Sequence, residues 1–531
     1  MLSKLIASRS ATALISISPQ QKQKLVTSTA SRTLATFASS AAPTKRSNSS
    51  YLSSSTLRSN TSSSQSIRNT LSSRRTMSSS SSTTAASPTK DEALWALEQA
   101  KERGMVGPED TALIFHSWTT HRQYLQHLND AFDVPNANHA IAVKTNPHPA
   151  ILKQLVDWGF GLECASMEEV YLAMNAGCEG SKIVFDSPVK TKHEIQICHE
   201  NPKLHGILVN VNSLEELDRI PENPNFVVGL RINPLVDTGT PEIFQVSGDE
   251  SKFGTPIVDK DQIMEAIAKY PVTQLHVHSG TAMEDLSVAV EAIKSVVDFG
   301  LEANEMLASK GITDRKIVGV DIGGGLKPEI LGCPNSEYGA DLSRMQYYTN
   351  ELRKHAPALF DGTMKLVTEF GQWSYFYSGY VYSQIEYALQ REQTNVAYIH
   401  LGADMFLRDV YTGKGRGIDF VPIGEAASRP PTLTDIAGPL CFAGDYLQQH
   451  VMMPRFQEGD EILMLNTGSN AFGLWSRHCS RTTPMVIGVD KTTDTLSVMS
   501  PRRNPHLEES YNGVLLPWET STESEDEDEA V

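Results

Sequence analysis

Long apolar runs are missing from this chain of 531 residues: none approaches the roughly 18 residues of a membrane-spanning helix, so we expect no membrane span. Closely spaced cysteines are missing too, since the six cysteines lie far apart and form no C-x-x-C pair. This speaks against a zinc site or a disulfide scaffold and favours a reducing compartment. Basic residues are outnumbered by acidic ones, 46 against 63, and the net charge of -17 argues against nucleic acid as a partner.

Acidic residues are absent from the first 90 residues, which contain twelve Lys or Arg and many Ser, Thr and Ala residues. This composition is typical of an organellar transit peptide, and so polar a tract buries too little surface to fold, so we expect residues 1–90 to be disordered. We expect mitochondrial targeting, with the plastid as the alternative; an internal start at Met77 would give a cytoplasmic form. Residues 516–531 form an acidic tail that is expected to be solvated.

Between these ends, short apolar runs alternate with helix-length segments, and each run ends in polar or glycine residues. The eight runs are Ile141–Asn146, Phe160–Ser166, Lys182–Pro188, Gly206–Asn212, Phe226–Asn233, Gln274–Gly280, Ile317–Gly325 and Lys365–Gly371. Intervening stretches such as Met167–Met174 and Leu286–Val297 have helical periodicity. Eight alternating β/α units predict a TIM (β/α)8 barrel over residues 135–375.

The pattern of predicted secondary structure changes after the predicted barrel. Strand-like runs without long helices predict a C-terminal β domain over residues 376–515. Residues 91–134 contain a helix-forming segment that begins near Glu92 and a strand-like run, Thr111–Phe115. Because that strand precedes the barrel, we expect residues 91–134 to join the β domain.

The stretch His139–Asn146 carries the strongest chemical signal. Its apolar residues, bounded by prolines, predict a core strand of a parallel sheet, and Lys144 lies at the carboxyl end, where α/β barrels hold their reactive groups. Partial burial is expected to lower the pKa of Lys144 and leave a nucleophilic amine for an aldehyde cofactor. The alternative is a lysine that extends from the strand end into solvent.

Other strand ends carry groups that suit a phosphorylated aromatic aldehyde. The amides of Gly323–Gly325 could line a phosphate, although a tight turn is the alternative. Glu369 is suited to pairing with a protonated pyridine nitrogen, although a lone glutamate at a strand end is more often a salt-bridge partner. His276 and His278 lie on one face of their strand; with no third ligand evident, ring stacking or packing is favoured over a metal site.

Eight motifs occur in an order that resembles the ornithine/diaminopimelate/arginine decarboxylase family. They are Ala142-Val-Lys-Thr-Asn146, Glu163-Cys-Ala-Ser166, Leu230-Arg-Ile-Asn-Pro234, Ser251-Lys-Phe-Gly254, His276-Val-His-Ser-Gly280, Asp321-Ile-Gly-Gly-Gly325, Glu369-Phe-Gly371 and Gly438-Pro-Leu-Cys441. The resemblance covers roughly residues 95–515 and is nearest to the diaminopimelate branch. It implies a pyridoxal 5'-phosphate enzyme built from an alanine-racemase-type barrel and a β domain that takes an N-terminal strand.

By this resemblance Lys144 would bind the cofactor covalently, His276 would stack on its ring and Glu369 would pair with its pyridine nitrogen. The remaining cofactor contacts are expected from Ser279, Gly323, Gly324, Gly325, Gly371 and Asn470.

The resemblance also implies a homodimer with its active site at the interface. Cys441 would reach the partner's site and handle protonation of the substrate carbon after carbon dioxide leaves. Asp445 has the spacing seen in diaminopimelate decarboxylases.

Three residues depart from the family pattern. Gln372 stands where the family usually has an arginine, and Asn470 where it has a tyrosine that touches phosphate. Phe442 replaces the acidic residue that follows the cysteine, and a phenylalanine cannot pair with a distal ammonium. Ornithine is therefore disfavoured as a substrate.

Two further residues bear on the substrate. Arg408 resembles the anchor for a distal carboxylate in the diaminopimelate branch, with Tyr411 beside it, and an ion pair of Arg408 with Asp404 or Asp409 is the alternative. Arg408 and Phe442 together predict a substrate with a far-end carboxylate or an apolar tail.

Two rival functions share this fold. An amino-acid racemase would need a tyrosine rather than Cys441 as its second base. A catalytically impaired regulatory homologue would explain Gln372, Asn470 and Phe442. The residues that argue against it are Lys144, His276, Glu369 and Cys441.

Overall fold

The computed structural model describes residues 87–239, 244–333, 338, 342–412 and 417–502. The predictions made for residues 1–86 and for the acidic tail lie outside these ranges. Within them, no helix combines the length and the apolar character that crossing a membrane requires.

The described chain begins with helix α1 (Lys90–Glu102), strand β1 (Ala112–Ser117) and helix α2 (Trp118–Phe132). Apolar residues recur on α1 at helical spacing, and Ala93, Ala96, Leu97 and Ala100 are all buried. They pack in one cluster with the β-domain residues, so α1 covers one face of that sheet. Helix α2 begins at Ser117, whose side chain accepts a hydrogen bond from the Thr120 amide.

Eight parallel strands close into a barrel. Strand β5 pairs with β6, which completes the ring β5-β4-β3-β2-β10-β9-β8-β6, and the two-residue β7 pairs with β6 outside the ring. The strands are β2 (Asn138–Ala142), β3 (Gly161–Cys164), β4 (Ile183–Phe185), β5 (Leu208–Val211), β6 (Val227–Asn233), β7 (Thr255–Pro256), β8 (Val272–His276), β9 (Gly319–Asp321) and β10 (Lys365–Thr368). The prediction of a TIM barrel is confirmed, and each predicted apolar run overlaps one ring strand.

Helices follow the ring strands, and local sequence signals set where they start. Thr191 and Ser343 each form a capping box with a residue three positions later, and Pro149 occupies a first-turn position. The helices are α3 (Pro149–Asp157), α4 (Met167–Asn175), α5 (Lys192–Glu200), α6 (Leu214–Leu217), α7 (Lys260–Lys269), α8 (Leu286–Ser309), α9 (Arg344–His355) and α10 (Gly371–Tyr375).

Helix α2 belongs to the barrel by its packing. Its residues Tyr124, Leu125, Leu128 and Phe132 are buried in the same apolar cluster as the ring strands and the outer helices. The sequence groups residues 91–134 with the β domain, but the apolar stripe of α2 faces the other way.

The β domain is one mixed sheet in which the N-terminal strand is central. Strand β1 pairs antiparallel with β11 and parallel with β17, as the prediction that an N-terminal strand joins this domain requires. Its other elements are β11 (Gly379–Gln390), β12 (Asn395–Ile399), helix α11 (Leu407–Thr412), β13 (Asp419–Pro422), β14 (Pro431–Ala437), β15 (Tyr446–Pro454), β16 (Glu461–Leu465), β17 (Met485–Asp490) and β18 (Thr495–Ser500).

A loop of the β domain packs directly on the turn that carries Lys144. The amide of Asn470 donates to the carbonyl of Thr145 at 2.9 Å. Gly473 lies so close to this turn that an added Cβ would stand 2.6 Å from the carbonyl oxygen of Lys144. The β domain therefore helps to fix the backbone from which the lysine projects.

We expect Leu128→Ala to lower the free energy of unfolding by about 3 kcal/mol, because it removes a fully buried side chain where α2 meets the barrel. Gln123→Ala, on the exposed face of the same helix, is the matched control and should change it by less than about 0.5 kcal/mol. Urea denaturation followed by circular dichroism measures both. Equal effects would contradict the assignment of α2 to the barrel.

Candidate active site

Charged and polar side chains converge at the carboxyl ends of the ring strands. Strand β5 carries the polar Asn210 there, and each of the other seven ring strands has an ionisable group in its last residues or directly after it. They are Lys144 after β2, Glu163 in β3, Asp186 after β4, Arg231 in β6, His276 in β8, Asp321 in β9 and Glu369 after β10.

Lys144 lies in a single turn of 3-10 helix, Val143–Thr145, that directly continues β2. Its Nζ donates to Oε2 of Glu163 at 2.5 Å. Half of the Lys144 side chain, 51%, is accessible from the barrel mouth, whereas Glu163 is fully buried. The side chain of Lys144 is thus half open to solvent, while its amine contacts a buried carboxylate that influences its protonation.

The structure reverses the expected shift of the Lys144 pKa. Burial alone would lower the pKa of this amine, but the negative charge of Glu163, its hydrogen bond to the amine and the charge of Asp186 outweigh burial, and the pKa is raised. The prediction of a lowered pKa is wrong for the cofactor-free chain, because the sequence does not reveal that two carboxylates face the same amine.

Glu163 is a site residue that the sequence reasoning missed. Strands β2 and β3 pair in parallel with Ala142 opposite Glu163, so the register brings this carboxylate beside the turn that carries Lys144. The available signal was a lone acidic residue inside an apolar run, since a buried strand rarely keeps an unpaired carboxylate. Burial raises the pKa of Glu163, and its Oε1 accepts no hydrogen bond within the described residues.

His276 is fully buried between two carboxylates. Its Nδ1 lies 3.2 Å from Oδ1 of Asp186 and its Nε2 lies 3.9 Å from Oε1 of Glu369. Arg231 in turn places Nη1 3.3 Å from Oδ2 of Asp186. Stacking of His276 on the cofactor ring stays a prediction. Asp186 and Arg231, which the sequence reasoning did not single out, complete this row of charges.

Asp186, His276 and Glu369 each offer a ligand atom, and the three atoms lie within 4.8 Å of one another. The sequence showed no third ligand beside the histidines, and the fold supplies two carboxylates. Such a set could bind a cation, but the adjoining lysine and glycine loop suit an organic cofactor better.

The surroundings shift the pKa values of the two carboxylates beside His276 in opposite directions. Burial, and then the nearby Asp321 and Glu163, raise the pKa of Glu369 well above its usual range. Burial would also raise the pKa of Asp186, but His276 and Arg231 outweigh burial and lower it. The surroundings therefore favour the protonated form of Glu369 and the ionised form of Asp186.

The triple glycine forms a tight loop whose backbone the barrel itself orients. Gly323 and Gly325 have φ values of 66° and 92°, and a Cβ at Gly325 would collide with the carbonyl of Gly280. The Gly323 amide donates to Oδ1 of Asp321 at 3.0 Å, and the Gly324 amide donates to Nδ1 of His278 at 3.1 Å. Burial lowers the pKa of His278 well below its usual value, so His278 is neutral and carries its proton on Nε2.

Several buried polar atoms near this loop lack a partner inside the described chain. They include Oγ of Ser279, Nε2 of His276 and Oε1 of Glu369. Such groups are costly to bury unpaired, so they indicate a polar ligand. A basic amine, a protonated carboxyl and a glycine loop beside a buried hydroxyl fit the aldehyde, ring nitrogen and phosphate of pyridoxal phosphate.

Gly371 and Asn470 both contact the Lys144 turn. A Cβ at Gly371 would collide with Oγ1 of Thr145, while Asn470 holds the carbonyl of the same threonine. Gln372 has its Oε1 buried without a hydrogen bond from any described residue. In this chain the first two residues shape the backbone beneath the lysine.

The predicted substrate residues form a separate group on the β domain. Tyr411 stacks on Phe442 with centroids 5.1 Å apart, and the neighbouring Cys441 is exposed. The guanidinium of Arg408 lies 5.3 Å from the ring centre of Phe244. None of the hydrogen bonds or ring contacts of the described chain joins Cys441, Phe442 or Tyr411 to Lys144.

Asp445 has a clear role in the fold. Its carboxylate accepts hydrogen bonds from the amides of Ala403 at 2.6 Å and Leu440 at 2.8 Å, and it is 3% exposed. A substrate contact of Asp445, which the family spacing suggests, stays a prediction, and in this structure each of its oxygens accepts from a backbone amide.

Comparison with known proteins agrees with this geometry. A family profile described as the pyridoxal binding domain of pyridoxal-dependent decarboxylases matches residues 120–374. Diaminopimelate decarboxylase of Aquifex aeolicus is 27% identical over 360 residues, which are 65% of this chain and 79% of that protein. The L-glutamyl-[BtrI acyl-carrier protein] decarboxylase of Niallia circulans is 25% identical over 348 residues, 63% of this chain and 78% of that one.

A solved structure shares the fold. The crystal structure of diaminopimelate decarboxylase from Helicobacter pylori, complexed with L-lysine, superposes with a TM-score of 0.65 at 21% identity and covers 78% of this chain and 99% of that one. Fold, site and relatives define the class: residues 120–374 match the pyridoxal binding domain of the pyridoxal-dependent decarboxylases, and the cofactor is pyridoxal phosphate. The chain is an amino-acid decarboxylase, and it is similar to the diaminopimelate decarboxylases.

Each site residue has a task that follows from its geometry. Pyridoxal phosphate, when bound, supplies an aldehyde for the amine and a ring that takes up the electrons left when carbon dioxide departs. Lys144 must lose a proton before it can bind, and Oε2 of Glu163 is the nearest acceptor. Glu369 holds a proton for the ring nitrogen, while Asp186 and Arg231 keep the charge around His276 balanced.

We expect Glu163→Gln to move the pH profile of cofactor uptake to lower pH. The pKa of Lys144 is raised, so the amine stays protonated to a higher pH than a free lysine; removing the Glu163 charge lowers that pKa and leaves more neutral amine at a given pH. The rate at which a visible absorbance band appears in cofactor-stripped protein measures it. Glu168→Gln, at an exposed neighbour, is the control. An unmoved profile in Glu163→Gln would refute the role of this pair.

Proposed function

We propose that the chain decarboxylates an α-amino acid whose far end carries a carboxylate or an apolar group rather than an amine. The observation that carries this proposal is the pair of Phe442 and Tyr411, whose rings stack with an interplanar angle of 8°. Two stacked aromatic rings at the position that follows Cys441 offer no counter-charge to an ammonium, and leaving that ammonium unpaired would be costly.

Arg408 supports the same substrate class. It lies on α11 together with Tyr411, so a positive charge stands on the element that carries the exposed ring. A guanidinium pairs well with a carboxylate through two parallel hydrogen bonds.

The relatives offer two substrate types. Diaminopimelate carries both an amine and a carboxylate at its far end, whereas an L-glutamyl group on a carrier protein has no far-end amine. Phe442 favours the second type, and Arg408 is compatible with a free carboxylate. The substrate class is therefore acidic or acylated amino acids of glutamate-like length, with diaminopimelate as the alternative.

The active unit is a homodimer in which the partner subunit's Cys441 reaches the barrel mouth. Cys441 is exposed in the single chain, which suits a group that acts on another surface. Its Sγ would return a proton to the substrate carbon after carbon dioxide leaves. A two-fold dimer would then contain two equivalent sites, each built from both subunits.

The substrate proposal is tested by carbon dioxide release from purified protein with glutamate, diaminopimelate, ornithine, arginine and lysine, with Lys144→Ala as the blank. We expect release from glutamate or diaminopimelate and little from ornithine. Phe442→Glu should raise the ratio of ornithine to glutamate turnover about tenfold, because it supplies a counter-charge for the distal ammonium. Tyr411→Phe is the control. Fastest turnover of ornithine by the wild type would refute the substrate class.

The shared site is tested by mixing two inactive variants, Lys144→Ala and Cys441→Ala, under conditions that let subunits exchange. A mixed dimer would keep one intact site, so activity should return to about one quarter of the wild-type value. Each variant alone, treated identically, is the control. No recovery in a mixture shown to contain mixed dimers would contradict the interface role of Cys441.

A further inference from the structure

A hydrogen-bonded chain crosses the interior of the barrel beneath the glycine loop. Nδ2 of Asn210, on β5, donates to Oδ2 of Asp321, on β9, at 3.0 Å. The other oxygen of Asp321 accepts from the amide of Gly323 at 3.0 Å. Asn210 and Asp321 are both 0% exposed, so water does not compete for these bonds.

The barrel keeps space for the Asn210 amide. Strands β5 and β6 pair with Asn210 opposite Gly229. A Cβ at Gly229 would collide with Oδ1 of Asn210, so only glycine at that position leaves the amide where it lies. The glycine at position 229 therefore leaves the space that the Asn210 side chain occupies.

Asp321 cannot hold the loop by itself. Its carboxylate can rotate about its side-chain bonds unless both oxygens are held, and the oxygen away from the loop has Asn210 as its partner. Gly323 adopts φ of 66° with its amide turned toward Asp321. Fixing the carboxylate therefore fixes the plane of the first loop peptide.

The orientation of the glycine loop, Gly323–Gly325, matters in this chain because the predicted phosphate site contains few charged residues. Gln372 and Asn470 stand where the family pattern has an arginine and a phosphate-touching tyrosine. The groups near the loop that remain to bind phosphate are neutral, such as Oγ of Ser279 and the amide of Gly325, neither of which is paired within the described residues. Binding by neutral donors depends on their direction.

We propose that Asn210 is a positioning residue for the cofactor phosphate. It acts through Asp321, which holds the amide of Gly323 and thereby sets the orientation of the glycine loop. It does not touch the cofactor, and it should affect the part of cofactor affinity that the phosphate contributes.

The chain offers a matched control at the opposite end of the same barrel. Asn138 begins β2, and its Nδ2 donates to the carbonyl of Lys182 at 3.4 Å. It too faces a glycine, Gly161, whose Cβ would collide with its Oδ1. Asn138 therefore repeats the packing of Asn210 without any link to the glycine loop.

The test compares the affinities of pyridoxal phosphate and pyridoxal for cofactor-stripped protein by absorbance titration. Asn210→Ala leaves an oxygen of Asp321 unpaired, and we expect about tenfold weaker binding of pyridoxal phosphate with pyridoxal changed by less than about twofold. Asn138→Ala should leave the ratio of the two affinities at the wild-type value. An unchanged ratio in Asn210→Ala, or equal weakening of both ligands, overturns the proposal.

An exchange of the two residues gives an independent decision, also if Asn210→Ala fails to fold. Asn210→Asp alone sets two carboxylates against each other and should weaken phosphate-dependent binding at least as much as alanine. In N210D/D321N the amide at position 321 donates to the new carboxylate and its oxygen still accepts from Gly323. We expect this double variant to bind pyridoxal phosphate within about threefold of the wild type. A double variant no better than N210D would refute the role of this bond.

Discussion

The ion pair of Lys144 with Glu163 is the contact on which the rest of the active site depends. It places an amine at 2.5 Å from a fully buried carboxylate, in a barrel mouth that also contains Asp186, Asp321 and Glu369. Each of these three buried carboxyl groups is stabilised in a different way. Asp186 has a lowered pKa beside a histidine and an arginine, Asp321 is held by an amide on each side, and burial raises the pKa of Glu369. The acids nearest the lysine raise its pKa and so favour its protonated form.

The barrel was readable from the sequence because its strands are buried on both faces. Such strands are short, continuously apolar runs, and in a barrel their carboxyl ends meet at one mouth. Lys144, Glu369 and the glycine loop could be predicted because they directly follow apolar runs. The strands β14 and β15 were harder to recognise, since prolines at their ends and partly exposed residues hide the alternation.

Site residues inside the strands were harder to predict from the sequence than site residues that follow the strands. Glu163, Asn210 and Arg231 lie within apolar runs, and their partners are set by strand register and by contacts across the barrel, which sequence spacing does not give. The sign of the Lys144 pKa shift was missed for the same reason: burial is visible in a hydrophobic pattern, but two facing carboxylates are not. For Asp445 the family spacing suggested the substrate, whereas local backbone amides engage it.

The hydrogen bond from Asn470 to Thr145 has a consequence for dissecting this enzyme into parts. The segment that matches the pyridoxal binding domain ends at residue 374, yet the peptide that carries the reactive lysine is braced from outside that segment. A fragment limited to the barrel would retain every charged group at the barrel mouth. It would lack the hydrogen bond from Asn470 that holds the turn carrying Lys144. The catalytic unit is therefore larger than the domain that contains its reactive residues. Exchanging barrels between relatives requires that the β-domain loop containing Asn470 be exchanged with them.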